Sequence, residues 1–419
     1  MARAPNVLKF AFQTMSTKKA TLVSSLAKSL PEMGMDNWLN IQTYERLQRP
    51  IEYVQHHATL AINRFKSQEL LHATVQLGDN GVARKALRQL MEKAFFSHVD
   101  PSARELLSAA VEDAYTQHLL PQITAGIWER KMSAALPVAC DRFGRNLRQL
   151  LLEPRLDTAA PILAVDPGFI NGLKLAVIAP DNALLWTDVC YLPDYMLEGG
   201  PAAKEVIKSL VLEYGVTFVV LGNGKGYRET EQLPRHLLAL PEIRGLGMAY
   251  RIEQEHGSSS YSGSPLARPE FPDVDEIYLS AVSIGHRRLD PLSELVNVPP
   301  RHMGVGAYQH DVPVEMLEKK LDEVVGVSLV GVNLNTASLH LLQRRTNAAK
   351  VTAILSLRKK LGGEFRSREH LKSAAGFLRV LPREDGEGNW NVLDATVVHP
   401  ESYQEAARFA CFCLPEPEG

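Results

Sequence analysis

Residues 161–182 read PILAVDPGFINGLKLAVIAPDN. An apolar run ends on Asp166, Pro167 and Gly168 follow at once, and a second apolar run begins at Leu173. Two short apolar segments around a Pro/Gly turn predict neighbouring strands. A carboxylate at the tip of a buried strand is costly unless it is solvated, paired or bound to a metal, so Asp166 is the first candidate functional residue. Gly168 and Gly172 let the backbone turn tightly and come close to a ligand. Further along, LLWTDVCYL (184–192), VTFVVLGNG (216–224) and MAYRIEQE (248–255) predict more strands, and AAKEVIKSLVLEYG (202–215) and TEQLPRHLLAL (230–240) predict helices between them. Strands in succession, then strand and helix in turn, predict a mixed sheet covered by helices from 157 to about 310.

On the N-terminal side, residues 36–156 show the helical period in RKALRQLMEKAFF (84–96), SARELLSAAVEDAYTQHLLPQI (102–123) and FGRNLRQLLLEP (143–154). Residues 1–35 carry Arg3, Lys9, Lys18, Lys19 and Lys28 before the first acid, Glu32. They are expected to be either a basic leader of the organellar transit type or an amphipathic first helix. Beyond residue 310, VPVEMLEKKLDEVVGVSLV, TASLHLLQRR, AAKVTAILSLRKKLGG and SREHLKSAAGFLRV predict short helices, and 381–419 form a tail. A formal charge of −2 excludes a chain basic throughout, so any polyanion site must be a local patch. The four cysteines are too scattered for a disulfide framework or a four-thiolate zinc site. No apolar run is long enough to span a membrane, and no membrane partner is expected.

Six stretches in order, AVDPGFINGLKLAVIAP, VVLGNGKGYRETEQL, EHGSSSYSGSPLARPEFPDVD, AVSIGHRRLDPLSEL, VPPRHMGVGAYQHDV and GVNLNTAS, carry a family resemblance. Their collinear order resembles the Tex-like transcription accessory proteins, whose central domain is the YqgF-type variant of the RNase H fold. RPIEYVQHHATLAINR upstream and GFLRV with NVLDATVVHPESY downstream extend the likeness over about residues 45–405. The fold this implies is α/β: an RNase H-like mixed sheet flanked by an N-terminal helical domain and a C-terminal helical, helix-hairpin-helix-like region. The expected divisions are 1–35, 36–156, 157–310, 311–380 for a degenerate helix-hairpin-helix region, and 381–419. A nucleic-acid-binding scaffold is implied, and cleavage is not, because function must be read from the site rather than the fold.

Carried over position by position, Asp166 takes the first acidic place, Glu255 the second and Asp275 the third, with Asp273 competing. Three converging carboxylates would suit magnesium or manganese, hard cations that clamp the attacking and leaving oxygens of a phosphodiester. The competing structural reading has Asp166 capping its turn, Glu255 paired with an arginine, and Asp273 or Asp275 starting the following helix. Residues 222–232, GNGKGYRETEQ, form a glycine-rich turn in which Asn223, Arg228 and Glu229 either bind a backbone phosphate or pin the loop. The Walker spacing is absent, as is a G-x-S-x-G nucleophile elbow. His56 and His57 read as packing or surface residues, and His310 and Asp311 as structural ones.

Where the family carries a glycine-containing hairpin turn, Arg344, Arg345, Thr346 and Asn347 stand instead, and the resemblance predicts that a second hairpin and the terminal OB-type barrel are missing. Asn333 stands where the family commonly has Asp. Arg344, Arg345, Lys350, Arg358, Lys359, Lys360, Arg366, Arg368 and Lys372 crowd one region whose acids are Glu364 and Glu369. Such a cluster is expected to neutralise phosphates without reading sequence, with solvated helix faces as the bland alternative. The function expected is a non-catalytic scaffold for nucleic acid, RNA foremost, or for a ribonucleoprotein, in transcription, RNA metabolism or ribosome biogenesis. No cofactor is expected. The alternatives are a divalent-metal nuclease or junction resolvase, and a structural subunit of a large organellar ribonucleoprotein assembly. The basic leader points to a mitochondrial or other organelle matrix, and without it to cytoplasm or nucleus.

Overall fold

The computed structural model describes residues 20–27, 35–77, 104–168, 172–190, 201–264, 271–329, 332–335, 337, 339–343, 348–361, 365, 378–380, 391–396 and 398–413, with 85, 89 and 93 as single positions. The chain divides into one unit of residues 1–142 with 308–316 and another of residues 143–307 with 317–419.

In the first unit, β1 (Ala20–Leu26), β2 (Gln48–Pro50) and β3 (Leu71–Leu77) form an antiparallel sheet in the order β2-β1-β3. ATLVSSL buries Ala20, Leu22 and Ser24 at alternate positions, the period of a half-buried strand. Residues 20–26 are therefore not part of a first helix, and the helical pattern of this region also concealed β2 and β3. The reason is composition: Ser, Thr and Ala fit both periods, and pairing with a neighbour decided between them. Helix α1 (His56–Ser67) supplies Ala61, Ile62 and Phe65 to a core shared with Leu22, Ile41, Val54, Leu71 and Ala73. From the same helix, Arg64 Nη1 donates to Asp311 Oδ2 at 2.6 Å while its guanidinium lies 4.2 Å from the Tyr308 ring centroid. Asp311 is thus a partly buried structural carboxylate. Helix α2 (Leu120–Leu151) continues through Pro137.

The second unit contains the sheet predicted around Asp166. β4 (Ile162–Asp166), β5 (Leu173–Ile178), β6 (Leu184–Cys190), β7 (Phe218–Gly222) and β8 (Ala249–Glu253) lie in the order β6-β5-β4-β7-β8. β5 is antiparallel to β4 and to β6, whereas β7 is parallel to β4 and to β8. This is the mixed, RNase H-like sheet. Its two faces are both apolar, as strands buried on both sides require. Leu163, Val165, Leu175, Val177, Val219 and Leu221 pack under α3 (Pro201–Tyr214) and α4 (Gln232–Ala239), through residues such as Val211 and Leu237. Ile162, Ala164, Ala176, Ile178 and Val220 pack under α5 (Leu279–Leu289).

Strand parity now places the candidate carboxylate. Residues 162, 164 and 166 share one face, so Asp166 points to the α5 side. Lys174 shares that face with Ala176 and Ile178, and its register partner on β4 is Asp166 itself. Gly285 brings α5 close to this face: a Cβ there would meet Ile178 Cδ1 at 2.4 Å and Ala164 Cβ at 3.0 Å. Gly285→Ala is therefore expected to destabilise the protein by about 1–3 kcal/mol through overpacking. Urea unfolding checks this, and an unchanged midpoint would show that the helix can lift off without loss.

Helix α6 (Val314–Ser328) precedes β9 (Val332–Asn333), which pairs in parallel with β10 (Leu378–Arg379) across α7 (Ala348–Lys360) in the sequence. Asn333 turns the chain after β9: its Oδ1 accepts the Asn335 N–H at 3.2 Å, and its carbonyl accepts the Ala337 N–H at 2.9 Å.

Candidate functional site

Asp166 ends β4 and is 8% exposed. Two side chains on its own face meet its Oδ2: Lys174 Nζ donates at 3.0 Å from the facing strand, and Ser280 Oγ donates at 2.5 Å from the start of α5. Lys174 Nζ also lies 3.4 Å from Ser280 Oγ. The carboxylate is therefore paired and hydrogen-bonded, which answers how it tolerates its position at the strand tip. The cross-strand register makes this pairing unavoidable once β5 folds back on β4.

Glu255 arrives two residues after β8. Its N–H donates to Asn223 Oδ1 at 3.1 Å, and Asn223 N–H donates to the Glu253 carbonyl at 3.0 Å. The Glu255 carboxylate lies against glycines: a Cβ on Gly224 would fall 1.9 Å from its Oε1, and one on Gly222 would fall 2.7 Å from its Oε2 and 3.2 Å from Pro167 Cδ. Gly222 and Gly224 thus leave room for a carboxylate beside the Asp166–Pro167 tip. Its Oε2 is buried without a hydrogen-bond partner among the described residues. Burial pushes its pKa up, the Asp166 charge adds to this, and the Gly224 N–H pulls in the opposite direction.

Arg287 fixes the segment that carries Glu255. At 5% exposure, it donates through Nη1 to the carbonyls of Gln254 and His256, both at 2.8 Å. Its Nε and Nη2 have no hydrogen-bond partner among the described residues, and the charge is balanced electrostatically by Glu294, Glu253 and Glu255. Farther along the same segment, Ser283 Oγ donates to Glu294, and Asp290 caps the next short helix through the Ser293 N–H at 3.1 Å.

The third acidic position is not brought to this pair. Asp275 is exposed and caps the turn Glu276–Tyr278, its Oδ1 accepting the Ile277 N–H at 3.0 Å. Asp273 is exposed as well. Among the described residues, no group of three His, Cys, Asp or Glu side chains is placed to hold a metal. The donor set therefore does not fit a two-cation clamp, because an ammonium and a hydroxyl already occupy the inward oxygen of Asp166.

In the glycine-rich turn, Asn223 serves the loop-pinning reading through its bond to Glu255. Arg228 is exposed, and its Nε lies 3.3 Å from Tyr227 Oη; Glu229 is half-buried beside it. The helix that follows, Tyr227–Thr230, is a single turn and offers little of the dipole that holds anions at longer helix starts. Of the basic cluster, Arg344, Arg345, Arg366, Arg368 and Lys372 lie outside the described residues. Lys350, Lys359 and Lys360 are exposed on α7. Arg358 departs from the expectation. Its Nη1 donates to the carbonyls of Leu334, Asn335 and Ala337 at 3.1, 3.4 and 3.0 Å, so it ties α7 to the loop after β9 instead of facing a phosphate. Lys174, Ser280 and Arg287 were the residues missed. A lysine inside the otherwise apolar run LKLAVI was the readable signal for the first, while the other two became visible only when α5 was laid on the sheet.

The sequence of residues 160–290 matches the Tex protein YqgF-like domain. The chain is a Tex-like protein. It is 36% identical over 404 residues to the uncharacterized protein YdcI of Bacillus subtilis, covering 93% of this chain and 53% of that one. It is also 36% identical to human S1 RNA-binding domain-containing protein 1, covering 98% and 46% of the two chains, and 34% identical to the transcriptional accessory protein Tex of Neisseria gonorrhoeae, covering 86% and 47%. The Tex-like chain spans about half the length of these curated relatives. Among solved structures, the yeast mitochondrial Holliday junction resolvase Ydc2 aligns at 11% identity with a TM-score of 0.23 over 45% of this chain and 96% of its own, a likeness too remote to transfer chemistry.

The raised Glu255 pKa has a measurable consequence. Between its ordinary value of 4.5 and its raised value, the folded chain keeps a proton that the unfolded chain has lost. The stability this group contributes is whole below the ordinary value and is lost as pH rises through the raised one. Glu255→Gln is therefore expected to be at least as stable as the parent at pH 7.5 and to lose that advantage as pH falls towards 4.5. Thermal melts across this range check it; a difference that does not change with pH would mean that the carboxylate is not desolvated.

Proposed function

We propose that this Tex-like chain is a non-catalytic scaffold for nucleic acid, RNA foremost, acting in transcription or RNA metabolism. The observation that carries the non-catalytic part is the Lys174 ammonium bound to Asp166 at 3.0 Å with Ser280 beside it. A two-cation mechanism needs that oxygen free and further acids converging on it, and Asp275 is committed to capping a turn. The nucleic-acid part is supported by the relatives named for S1 RNA binding and for transcription, and by the exposed Lys350, Lys359 and Lys360 on α7. Contacts of that kind position a phosphate backbone without reading bases. We also propose the ribonucleoprotein partnership and the organelle-matrix location, the latter supported by the acid-free, basic stretch before Glu32.

The deciding experiment sets binding against cleavage. Mixed-sequence single-stranded RNA is expected to bind with an affinity that falls steeply with salt, whereas duplex and branched DNA incubated with magnesium or manganese are expected to stay intact. Metal-dependent cleavage that Asp166→Asn abolishes would overturn the reading in favour of a nuclease. Retention in a large assembly that survives both nuclease treatment and high salt would replace it with a structural subunit.

A further inference from the structure

The sheet around Asp166 ends on β6 at one side and on β8 at the other, and the two edge strands differ. On β6, Asp188 Oδ1 accepts the Val189 N–H at 2.7 Å, so a charged side chain occupies a backbone donor of that strand. On β8, the sequence AYRIE has no proline. Its ladder to β7 is extended by Ala249 N–H donating to the Thr217 carbonyl and Asn223 N–H donating to the Glu253 carbonyl, both at 3.0 Å. Backbone groups of alternate residues in a strand point to the same side, so Ala249, Arg251 and Glu253 bond β7 while Tyr250 and Ile252 turn theirs away from the sheet. The N–H and C=O groups of Tyr250 and Ile252 have no hydrogen-bond partner among the described residues.

These groups lie symmetrically about Arg251, which makes the edge complementary to itself. A two-fold axis through Arg251 sets Tyr250 of each copy opposite Ile252 of the other, in hydrogen-bonded antiparallel pairs that use every outward group. Each pair places an aromatic ring beside a β-branched side chain, a favourable cross-strand combination, and covers Ile252, which is exposed in the single chain. The same axis sets Arg251 opposite its own copy, and like charges directly opposite repel. Each arginine, however, brings carboxylates with it. Its Nη2 pairs with Glu153, and its Nε lies 3.9 Å from Glu253 Oε2. Glu253 Oε2 is buried without a hydrogen-bond partner among the described residues, and it stands diagonal to Arg251 of the second copy, within reach of a long side chain. The two arginines therefore meet among the carboxylates of both chains, and the charge pattern is complementary to itself. Leu246 before β8 and Leu152 beside Glu153 add exposed apolar surface.

We infer that β8 is a self-association edge, along which two copies of this chain pair antiparallel through Ala249–Glu253 and join their sheets into one. The inference is independent of what the chain binds. A contact centred on one short strand buries less surface than a permanent dimer does, so the association is concentration-dependent.

The test is sedimentation equilibrium of the full chain over a concentration series, with a melting curve for each variant and disulfide trapping to read the register. The average mass of the parent is expected to rise towards that of two chains. Ile252→Pro removes an outward N–H that the ladder to β7 does not use, so it is expected to weaken association about tenfold or more with melting unchanged. Arg251→Cys places two thiols face to face across the axis, at a separation that a disulfide spans, and is expected to cross-link on mild oxidation. Ala249→Cys faces Glu253 of the second copy instead and is expected to cross-link no more than the parent. Should Ile252→Pro fail to fold, Ile252→Lys, an edge lysine of the kind that keeps strands apart, takes its place, and the cysteine pair reads the register without either. A parent that stays monomeric up to about 100 μM would overturn the inference and leave the edge to an extended segment of another protein. Association that persists in the proline and lysine variants, or cross-linking of Ala249→Cys equal to that of Arg251→Cys, would overturn it in favour of a different interface.

Discussion

Lys174→Ala is expected to be stabilised by divalent cations that leave the parent's stability unchanged. In the parent, the ammonium 3.0 Å from Asp166 Oδ2 supplies the positive charge that the strand tip requires. Removing it leaves Asp166 held by Ser280 alone, with the buried Glu255 carboxylate nearby. Taking one partner from a fully buried ion pair costs about 3–5 kcal/mol. Here the lysine side chain is 23% exposed and the aspartate 11%, so solvent screens part of this and a loss of about 2 kcal/mol is expected. Magnesium or manganese at a hundredfold excess over its dissociation constant would return about 2.7 kcal/mol by mass action. The expected result is a lower melting temperature for the variant that rises with added cation, beside a parent that does not respond. Equal responses would show that the lysine does not stand in for a cation. Cleavage activity is not expected to return, because Asp275 remains engaged with its own turn.

Arg287→Met is expected to be the most damaging single change in the α/β unit. The side chain is 5% exposed and holds two carbonyls of the segment that delivers Glu255. Its loss leaves those carbonyls unpaired and three carboxylates, Glu294, Glu253 and Glu255, without their central cation. About 3–5 kcal/mol of stability should go, on the order of 10 °C in melting temperature. The loss should shrink as pH falls. Burial already raises the pKa of Glu253 and Glu255, and without the arginine they protonate more readily, which removes the uncompensated charge. Arg287→Lys should rescue little, because an ammonium does not reach two carbonyls with the arginine's fixed fork. A midpoint within 1 °C of the parent at neutral pH would contradict this account.

Much of the α/β fold was legible in one dimension. The run ILAVD, the turn and the run LKLAVI specify two neighbouring strands, and the change from short apolar runs to helical periods orders the rest of the sheet. Asp166 could be chosen because it ends a strand, and Glu255 because the resemblance to Tex-like proteins gives it the second acidic place. The three-stranded sheet of the N-terminal unit was not legible. Its strands lie far apart in the chain, and ATLVSSL is as compatible with a basic leader as with a strand until β3 is placed beside it. Arg358 was misread for a related reason: a charge run in sequence does not show which member turns inward to meet carbonyls.

What the amino-acid order determined alone was the alternation of apolar and polar residues, and with it which residues are able to form strands and where their carboxylates fall. What only the tertiary structure decided was the charge state of the neighbourhood. Lys174 becomes the partner of Asp166 through antiparallel register, Ser280 through the docking of α5, and Arg287 through the return of the segment after β8. Periodicity is a local property that one strand expresses by itself. Electrostatic pairing depends on distances of about 3 Å between residues as many as 114 positions apart, and those distances exist only after the sheet and its covering helix have packed.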